Sequence, residues 1–201
     1  MRRSTVPAAL LVVIFFCFFG SRLGAQQRGN PTPPGPPPKL TQVHDDLYFI
    51  ENLGQTVADI GPYGGNLIIY ITNDGVLLVD SKNERIHADV LAKIKSLTDK
   101  PVKYVVLTHN HGDHAAGAPM FASEGAQVII SSNDRENMAR APNAQWLPQL
   151  TYSGQAKIFL GGKEAQLYEY RGHTRGDTIV YFPAARVLAM GDLSRQLTQF
   201  R

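Results

Sequence analysis

Short apolar runs of strand length recur along the chain from residue 40 onward. The runs are rich in Val, Ile and Tyr and are bounded by Gly, Asn, Asp or Pro, which is typical of β-strands. Several are apolar at successive positions, and this pattern favours a sheet that is covered on both faces. The predicted strands lie at 47–50, 67–71, 76–79, 104–107, 128–130, 166–170, 178–182 and 187–190.

A helical period appears between two of these strands. Five apolar side chains fall on one stripe at helical spacing and predict an amphipathic helix. They are Ile86, Val90, Leu91, Ile94 and Leu97. Residues 134–140 are a second, shorter helix candidate. Because strands come first and then alternate with helices, the predicted class is α/β or α+β, in one domain over 40–201.

Residues 1–25 have a different pattern. Arg2 and Arg3 precede an unbroken apolar run at 8–19, and Gly24 and Ala25 supply small residues near a cleavage point. This order is that of a secretory signal peptide, and the run is shorter than the roughly 20 residues of a membrane span. We therefore predict an exported protein, periplasmic or secreted, with no stable membrane insertion after cleavage. An uncleaved N-terminal anchor is the alternative.

Proline dominates the next segment, 26–39, which holds six of the 13 prolines. Such a stretch favours extended polyproline II and cannot pack a core, so it is interpreted as a linker. A plain spacer is the preferred interpretation, and a ligand for a proline-binding partner is the alternative.

Composition and charge exclude several classes of protein. With 201 residues, 43% of them apolar and 18% charged, the chain can fold around a core and is not disordered throughout. The net charge of +3 equals the three arginines of residues 1–25, which leaves 17 basic and 17 acidic residues in the mature chain. A neutral chain has no electrostatic reason to bind nucleic acid. The single cysteine, Cys17, also lies in the signal, so the mature protein has no disulfide and no thiolate ligand.

The segment 108–117 concentrates metal-binding side chains. His109, His111 and His114 are three of the six histidines, and Asp113 stands among them. The segment follows a predicted strand, and loops at strand ends commonly display catalytic groups. Imidazole and carboxylate suit zinc, and three protein ligands plus water make a catalytic site. A polar solvated turn is the alternative.

The spacing predicts two metal ions rather than one. Alternate side chains of an extended loop share a face, so His109 and His111 can reach one ion together. Asp113 and His114 lie just beyond and can turn toward a second ion. His173, in a glycine-flanked loop after another predicted strand, is the natural third ligand of the first ion. Taken alone, it would more often be an ordinary surface histidine.

Two aspartates follow other predicted strands. Asp192 can bridge two ions and lower their mutual repulsion, with a turn aspartate as the alternative. Asp80 is interpreted as a group that orients the metal-binding loop by hydrogen bonds, and a strand-end turn residue is nearly as good an interpretation. His87, expected to be exposed on the amphipathic helix, and His44, in an early turn, are not assigned to the metals.

These residues resemble the metallo-β-lactamase superfamily in their order and spacing over 40 to about 193. The motifs that carry the likeness are Gly75-Val76-Leu77-Leu78-Val79-Asp80, Thr108-His109-x-His111-x-Asp113-His114-x-x-Gly117, Gly172-His173-Thr174 and Gly191-Asp192. The second motif is highly specific and the others are individually weak. The resemblance implies an α+β fold of the αββα type, a sandwich of two β-sheets with helices outside. It also implies a dinuclear zinc site with His109, His111 and His173 on one ion and Asp113, His114 and a shared Asp192 on the other.

Three features depart from that family. The mature chain lacks the cysteine ligand of some of its lactamases, and Lys82 stands where the family commonly has glycine. The chain ends nine residues after Asp192, where the family normally continues with further strands, a helix and a last histidine on the second zinc. We therefore expect a C-terminally truncated domain whose second zinc is bound weakly.

The expected chemistry is hydrolysis of a small-molecule substrate by a zinc-bound hydroxide that Asp113 positions and whose proton it can carry. Export favours a β-lactam or a similar cyclic amide or ester. A lactonase or thioesterase of the same superfamily is an alternative, whereas RNA-processing nucleases fit neither export nor the neutral charge. A catalytically impaired remnant that binds at most one zinc is the non-enzyme alternative. The predicted pocket walls are 53–65 and 143–152, with Trp146.

Overall fold

The computed structural model describes residues 36–54, 56–142, 144–194 and 198–199. The predicted signal peptide at 1–25 and residues 26–35 of the predicted linker lie outside the described residues. Within those ranges, no helix is both long and apolar enough to cross a membrane. The first strand begins at Lys39 and Pro38 is buried, so folded structure starts slightly before the predicted boundary at residue 40.

The first sheet has seven strands within the described ranges, in sequence order across the sheet. They are β1 (Lys39–His44), β2 (Leu47–Glu51), β3 (Leu67–Ile71), β4 (Val76–Val79), β5 (Val102–Val106), β6 (Gln127–Ser131) and β7 (Leu150–Tyr152). The first four are antiparallel neighbours, and β4 to β7 run parallel. The segments that follow β4, β5 and β6 therefore leave the sheet at the same edge.

The second sheet is antiparallel and has five strands among the described residues. They are β8 (Gln155–Leu160), β9 (Lys163–Tyr170), β10 (Asp177–Phe182), β11 (Val187–Ala189) and β12 (Thr198–Gln199). Strand β8 is an edge strand, and its Phe159 is 70% exposed on the outer face of the sheet.

Helices and one 3₁₀ turn fill most of the connections of the first sheet, and a second 3₁₀ turn lies between β11 and β12 of the second sheet. The helices are α1 (Val57–Ile60), α2 (His87–Leu97), α3 (Gly112–Ala115), α4 (Ala118–Ser123) and α5 (Ser132–Ala139), and the 3₁₀ turns are Glu84–Ile86 and Gly191–Leu193. Two side chains cap these elements. The Asn83 side chain accepts a hydrogen bond from the Arg85 N–H, and the Ser131 side chain accepts one from the Asp134 N–H, as N-cap residues do.

Alternation along the strands divides the core into two layers. Ile69 of β3 packs on the helix side with Phe121 of α4, whereas its neighbour Ile68 packs on the other side, between the two sheets. Tyr70 and Phe182 meet edge to face between the sheets, with ring centroids 4.8 Å apart. The α+β sandwich that the resemblance implied is confirmed, because both faces of the first sheet are covered.

Most predicted elements are confirmed, with ends that shift by a few residues. The stripe of apolar residues at 86–97 is α2 and its preceding turn, and residues 134–140 lie mostly in α5. Strands β1, β7, β8 and β12 were missed. The first three mix polar and apolar residues and lie at or near sheet edges, so the sequence signal is weak where the burial is partial.

Two expectations about histidines are wrong. His87 is buried rather than exposed, because α4 packs against the start of α2. The His87 ring contacts Phe121, and the His87 Nε2 lies 2.8 Å from a carboxylate oxygen of Glu124. The metal-binding segment is not extended throughout, since α3 begins at Gly112 and the residues after it follow a helical turn.

Candidate metal centre

Four loops bring the predicted site residues together at one edge of the first sheet. His109, His111 and the turn α3 follow β5, Asp80 follows β4, and His173 and Asp192 come from the second sheet. The Thr178 N–H donates to the Thr108 carbonyl at 2.6 Å and ties the two sheets together there. The two sheets are therefore linked directly beside the segment that carries the histidines.

The first group of donor atoms comes from His109, His111 and His173, and these atoms lie within 4.8 Å of one another. The Nε2 of His173 is 3.0 Å from the Nδ1 of His111. His109 is buried, whereas the other two rings are exposed. The three histidines predicted for the first ion are thus brought to one point.

The second group consists of His109, His114 and Asp192, again with donor atoms within 4.8 Å of one another. One oxygen of Asp192 is 3.2 Å from the Nε2 of His114, and its other oxygen is 3.5 Å from the Nε2 of His173. The carboxylate thus lies between the two groups. His109 belongs to both groups, which the sequence spacing did not predict.

Asp113 lies at the margin of the second group. Its side chain is about one third exposed, and its Oδ2 is 3.5 Å from the Nε2 of His114. Asp113 lies in the first turn of α3, whereas His109 and His111 precede that helix. Asp113 is near enough to bind a cation there, but its contact with the His114 Nε2 is longer than that of Asp192.

Two buried nitrogens test whether this arrangement fits a metal ion. The Nε2 atoms of His109 and His114 are both inaccessible to solvent, and neither forms a hydrogen bond with the described residues. The Asp192 oxygen near His114 is close but does not have hydrogen-bond geometry. Unpaired buried polar atoms are rare and costly, so a cation bound by these nitrogens fits the site. Imidazole and carboxylate are ligands that suit zinc.

Asp80 holds the histidine-bearing loop in place. Its carboxylate accepts hydrogen bonds from the N–H and the hydroxyl of Thr108, at 2.7 to 2.9 Å, and lies 2.7 Å from the Nδ1 of His114. The Thr108 hydroxyl is in turn 3.1 Å from the Nδ1 of His109. The predicted orienting role of Asp80 is therefore confirmed in its hydrogen bonds, and both histidines present Nε2 to the site.

Burial and neighbouring charges shift the pKa values of the side chains at the site. Burial, together with the neighbouring His114, lowers the pKa of His109 to about 4. Burial also opposes charge on His114, but Asp80, Asp192 and Asp113 outweigh it and raise the pKa of His114 to about 10. The close contact with the His114 ring lowers the pKa of Asp192 to about 2. The surrounding carboxylates thus favour positive charge at this point.

Lys82 is a buried lysine near the site that the sequence marked only as a departure from the family. Its side chain is fully buried and its Nζ donates to the carbonyl of Gly65. Burial lowers the pKa of Lys82 to about 7. Its backbone φ of 57° lies in the left-handed region, which explains why glycine suits this position in the family.

Gly65 is the close neighbour of His114. A Cβ at Gly65 would lie closer than 3.0 Å to the Cε1 and Nε2 of His114, so only glycine permits this approach. The Gly65 N–H donates to the Asp113 carbonyl at 2.7 Å. Through this segment, Lys82 supports one wall of the metal centre.

An open cavity of about 590 Å³ lies over the site. The predicted wall at 53–65 contributes Gly54, Ile60, Gly61 and Gly65 to its lining, together with Glu51. Trp146 packs instead against the helix-side core, so the prediction that it forms a wall is wrong. The groups from the metal centre that line the cavity are Asp113, His114 and Asp192.

Comparison with known proteins gives consistent matches. A family model described as the metallo-beta-lactamase superfamily matches residues 60–201. A type 2 metallo-beta-lactamase from Elizabethkingia meningoseptica is 28% identical over 160 residues, which are 78% of this chain and 62% of that protein. The alpha subunit of 2,4-dinitroanisole O-demethylase from Nocardioides sp. (strain JS1661) is 34% identical over 96 residues, 46% of this chain and 29% of that protein.

A solved structure matches as well. The metallo-beta-lactamase from Pontibacter korlensis has a TM-score of 0.64 at 23% identity, covering 75% of this chain and 69% of that one. The chain spans less than two thirds of the length of the two curated relatives described above.

Proposed function

The chain belongs to the metallo-beta-lactamase superfamily, and from that membership we propose that it is a zinc-dependent hydrolase. One observation carries the proposal: the buried Nε2 atoms of His109 and His114 have no hydrogen-bond partner among the described residues. Both histidines share a group of donor atoms, within 4.8 Å, with Asp192. A cation bound there removes the cost of two unsatisfied buried nitrogens.

The proposed ligands form two sets. His109, His111 and His173 bind the first ion, and Asp113 and His114 bind the second. Asp192 would contribute to both sets, since its two oxygens face a histidine of each set, at 3.2 and 3.5 Å. A shared carboxylate lowers the repulsion between two dications a few ångströms apart. The longer contact of Asp113 supports weaker binding at the second ion.

Two zinc ions held by these groups would supply a deprotonated water for attack on a carbonyl carbon and positive charge for the developing oxyanion. The chain's own part is to orient and to accept a proton. The Asp113 carboxylate borders the cavity and can accept a hydrogen bond, and then a proton, from the attacking water. With a pKa lowered to about 4 by burial, His109 is neutral near pH 7, as a metal ligand must be.

The proposed substrate is a β-lactam or a similar small cyclic amide or ester. The type 2 metallo-beta-lactamase relative supports this class, and the cavity has the size of a small-molecule site. The O-demethylase relative makes an aryl methyl ether a second candidate, and lactones and thioesters stay in the set to be tested. The pattern of residues 1–25 supports export, so we propose a substrate outside the cytoplasm.

Metal content of the purified chain tests the proposal. We expect two zinc ions per chain at saturating zinc, with the second bound more weakly. His109→Ala and His173→Ala should lose the tightly bound ion, because each removes one of three ligands. His44→Ala, an exposed histidine on β1, is the matched control and should keep it. Unchanged zinc content in both ligand variants would contradict the assignment, and one ion or none in the parent would favour the impaired remnant.

Turnover by the zinc-loaded chain then separates the substrate classes. The panel contains a chromogenic β-lactam, a lactone, a thioester and 2,4-dinitroanisole. Hydrolysis of the β-lactam that is lost in His109→Ala supports the preferred class. Turnover confined to another member of the panel reassigns the substrate while keeping the zinc site.

A further inference from the structure

A buried carboxylate outside the metal groups joins the two loops that carry the first ion's ligands. Asp134 lies in the first turn of α5 and is fully buried. Its Oδ2 accepts a hydrogen bond from the Thr174 hydroxyl at 2.9 Å. The backbone N–H of Asn110 also lies close enough to the carboxylate to stabilise its negative charge. A third donor, the Asn137 side chain at 2.6 Å, belongs to the same helix.

The two loop donors stand directly beside metal-binding histidines. Asn110 lies between His109 and His111, and Thr174 follows His173. One carboxylate therefore binds both loops within one residue of all three histidines of the first group. The donors come from segments more than 60 residues apart in the chain, so the helix α5 acts as the common support.

Further contacts press the His173 loop onto the start of α5. The Ser131 hydroxyl donates to the Gly176 carbonyl at 2.5 Å and accepts from the Asp134 N–H at 3.2 Å. A Cβ at Gly176 would lie closer than 3.0 Å to the Ser131 Oγ and the Asp134 N, so the loop approaches as only glycine allows. The Thr174 N–H is held as well, by Asp177 at 2.8 Å.

We propose that Asp134 is a positioning residue that fixes the separation of His111 and His173 and so sets the affinity of the first metal site. The inference rests on the proposed function, since it needs that site to bind a metal. Both rings are exposed, so the backbone of their loops must determine where the rings stand. Loops fixed before the metal arrives lose less conformational entropy when it binds.

A purely structural role of Asp134 in α5 predicts something different. Its bond with Asn137 lies within one helix and stabilises that helix without touching either loop. Asn137→Ala removes this bond and leaves the loop contacts in place. It therefore separates the stability of α5 from the position of the metal ligands.

Cobalt(II) is the probe, because its visible absorption reports the coordination geometry as well as the binding. The variants are Asp134→Asn, which loses an acceptor, and Thr174→Val, which loses the hydroxyl but keeps the shape. We expect each variant to bind the first cobalt ion about 10- to 100-fold more weakly, as loss of an outer hydrogen-bond partner does, and to have changed absorption bands. Thr174→Ser keeps the hydroxyl and should have the cobalt affinity and absorption bands of the parent. Asn137→Ala should also bind cobalt as the parent does.

A metal-free readout completes the test. Amide hydrogen exchange at Asn110 should accelerate in Asp134→Asn, because its N–H loses part of its acceptor, and should stay slow in Asn137→Ala. If the parent binds cobalt and Asp134→Asn and Thr174→Val match it in affinity and spectrum, the positioning role is refuted. An equal loss in Asn137→Ala also refutes it, in favour of helix stability. A parent that binds no cobalt refutes the proposed function itself. If Asp134→Asn fails to fold, the comparison of Thr174→Val with Thr174→Ser still tests the positioning role.

Discussion

The carboxylate of Asp80 lies 2.7 Å from the Nδ1 of His114, and both side chains are buried. This contact directs the opposite nitrogen, Nε2, to the metal centre. The same carboxylate accepts two hydrogen bonds from Thr108, so one side chain orients both ends of the segment that holds the ligands. Carboxylate–histidine pairs of this kind fix the tautomer and the ring orientation of a ligand.

We predict that Asp80→Asn weakens binding of the second zinc by about 10- to 100-fold. Asparagine has one acceptor oxygen instead of two, so either Thr108 or His114 faces an amide N–H. Competition with a chromogenic chelator measures the affinity. Asp89→Asn, an exposed aspartate on α2, is the control and should bind zinc as the parent does. Parent-like affinity in Asp80→Asn would show that His114 needs no such support.

Gly65→Ala should displace the His114 ring. The added methyl group would lie closer than 3.0 Å to the Cε1 and Nε2 atoms, so the ring or the backbone of the wall must move. We expect loss of the second zinc with the first retained, measured by metal analysis after dialysis. Gly112→Ala is the matched control, because no atom lies within 4 Å of the Cβ it would add. Equal zinc content in both variants would contradict the prediction.

Asp113→Asn should leave at least one zinc bound and lower turnover of an accepted substrate by about 100-fold or more. Asparagine keeps the shape of the side chain but cannot take a proton. Zinc content and turnover are measured on the same sample. Asp74→Asn, an exposed turn aspartate, should change neither. Turnover close to that of the parent would remove Asp113 from the proposed chemistry.

The lowered pKa of Lys82 predicts that the free energy of unfolding of the metal-free chain depends on pH. Burial lowers its pKa from 10.5 to about 7, so between these values the unfolded state binds a proton that the folded state does not. Stability therefore rises with pH over this window, and the cost of the buried lysine is fully present below about pH 7. The parent should gain stability relative to Lys82→Met as pH rises from 7 toward 10.5.

Denaturant unfolding of both proteins across that pH range measures the difference. Because the difference cancels the titration of groups common to both chains, its slope belongs to Lys82. Both chains keep the left-handed backbone at this position, so its strain cancels as well. A difference that is independent of pH would mean that Lys82 stays charged in the folded protein.

The sequence by itself determined the local features of this protein. Short apolar runs bounded by turn residues predicted β3 and β4 at their observed bounds, and a helical period predicted the stripe of α2. Each signal depends on side chains only a few residues apart. The spacing within 109–114 predicted the metal-binding segment for the same reason. The donors His109, His111 and His114 are neighbours in the chain, so no knowledge of packing was needed to group them.

Only the tertiary structure decided which distant residues complete and support that segment. His87 became buried because α4 packs on α2, and His109 came to serve both groups because Asp192 lies between them. Asp134 meets Asn110 and Thr174 only because the segments after β5 and β6 and the segment before β10 lie at one edge of the sandwich. Such contacts depend on how strands from different parts of the chain pair and pack. A periodic pattern specifies which face of a strand is buried, but not which side chain will stand opposite it.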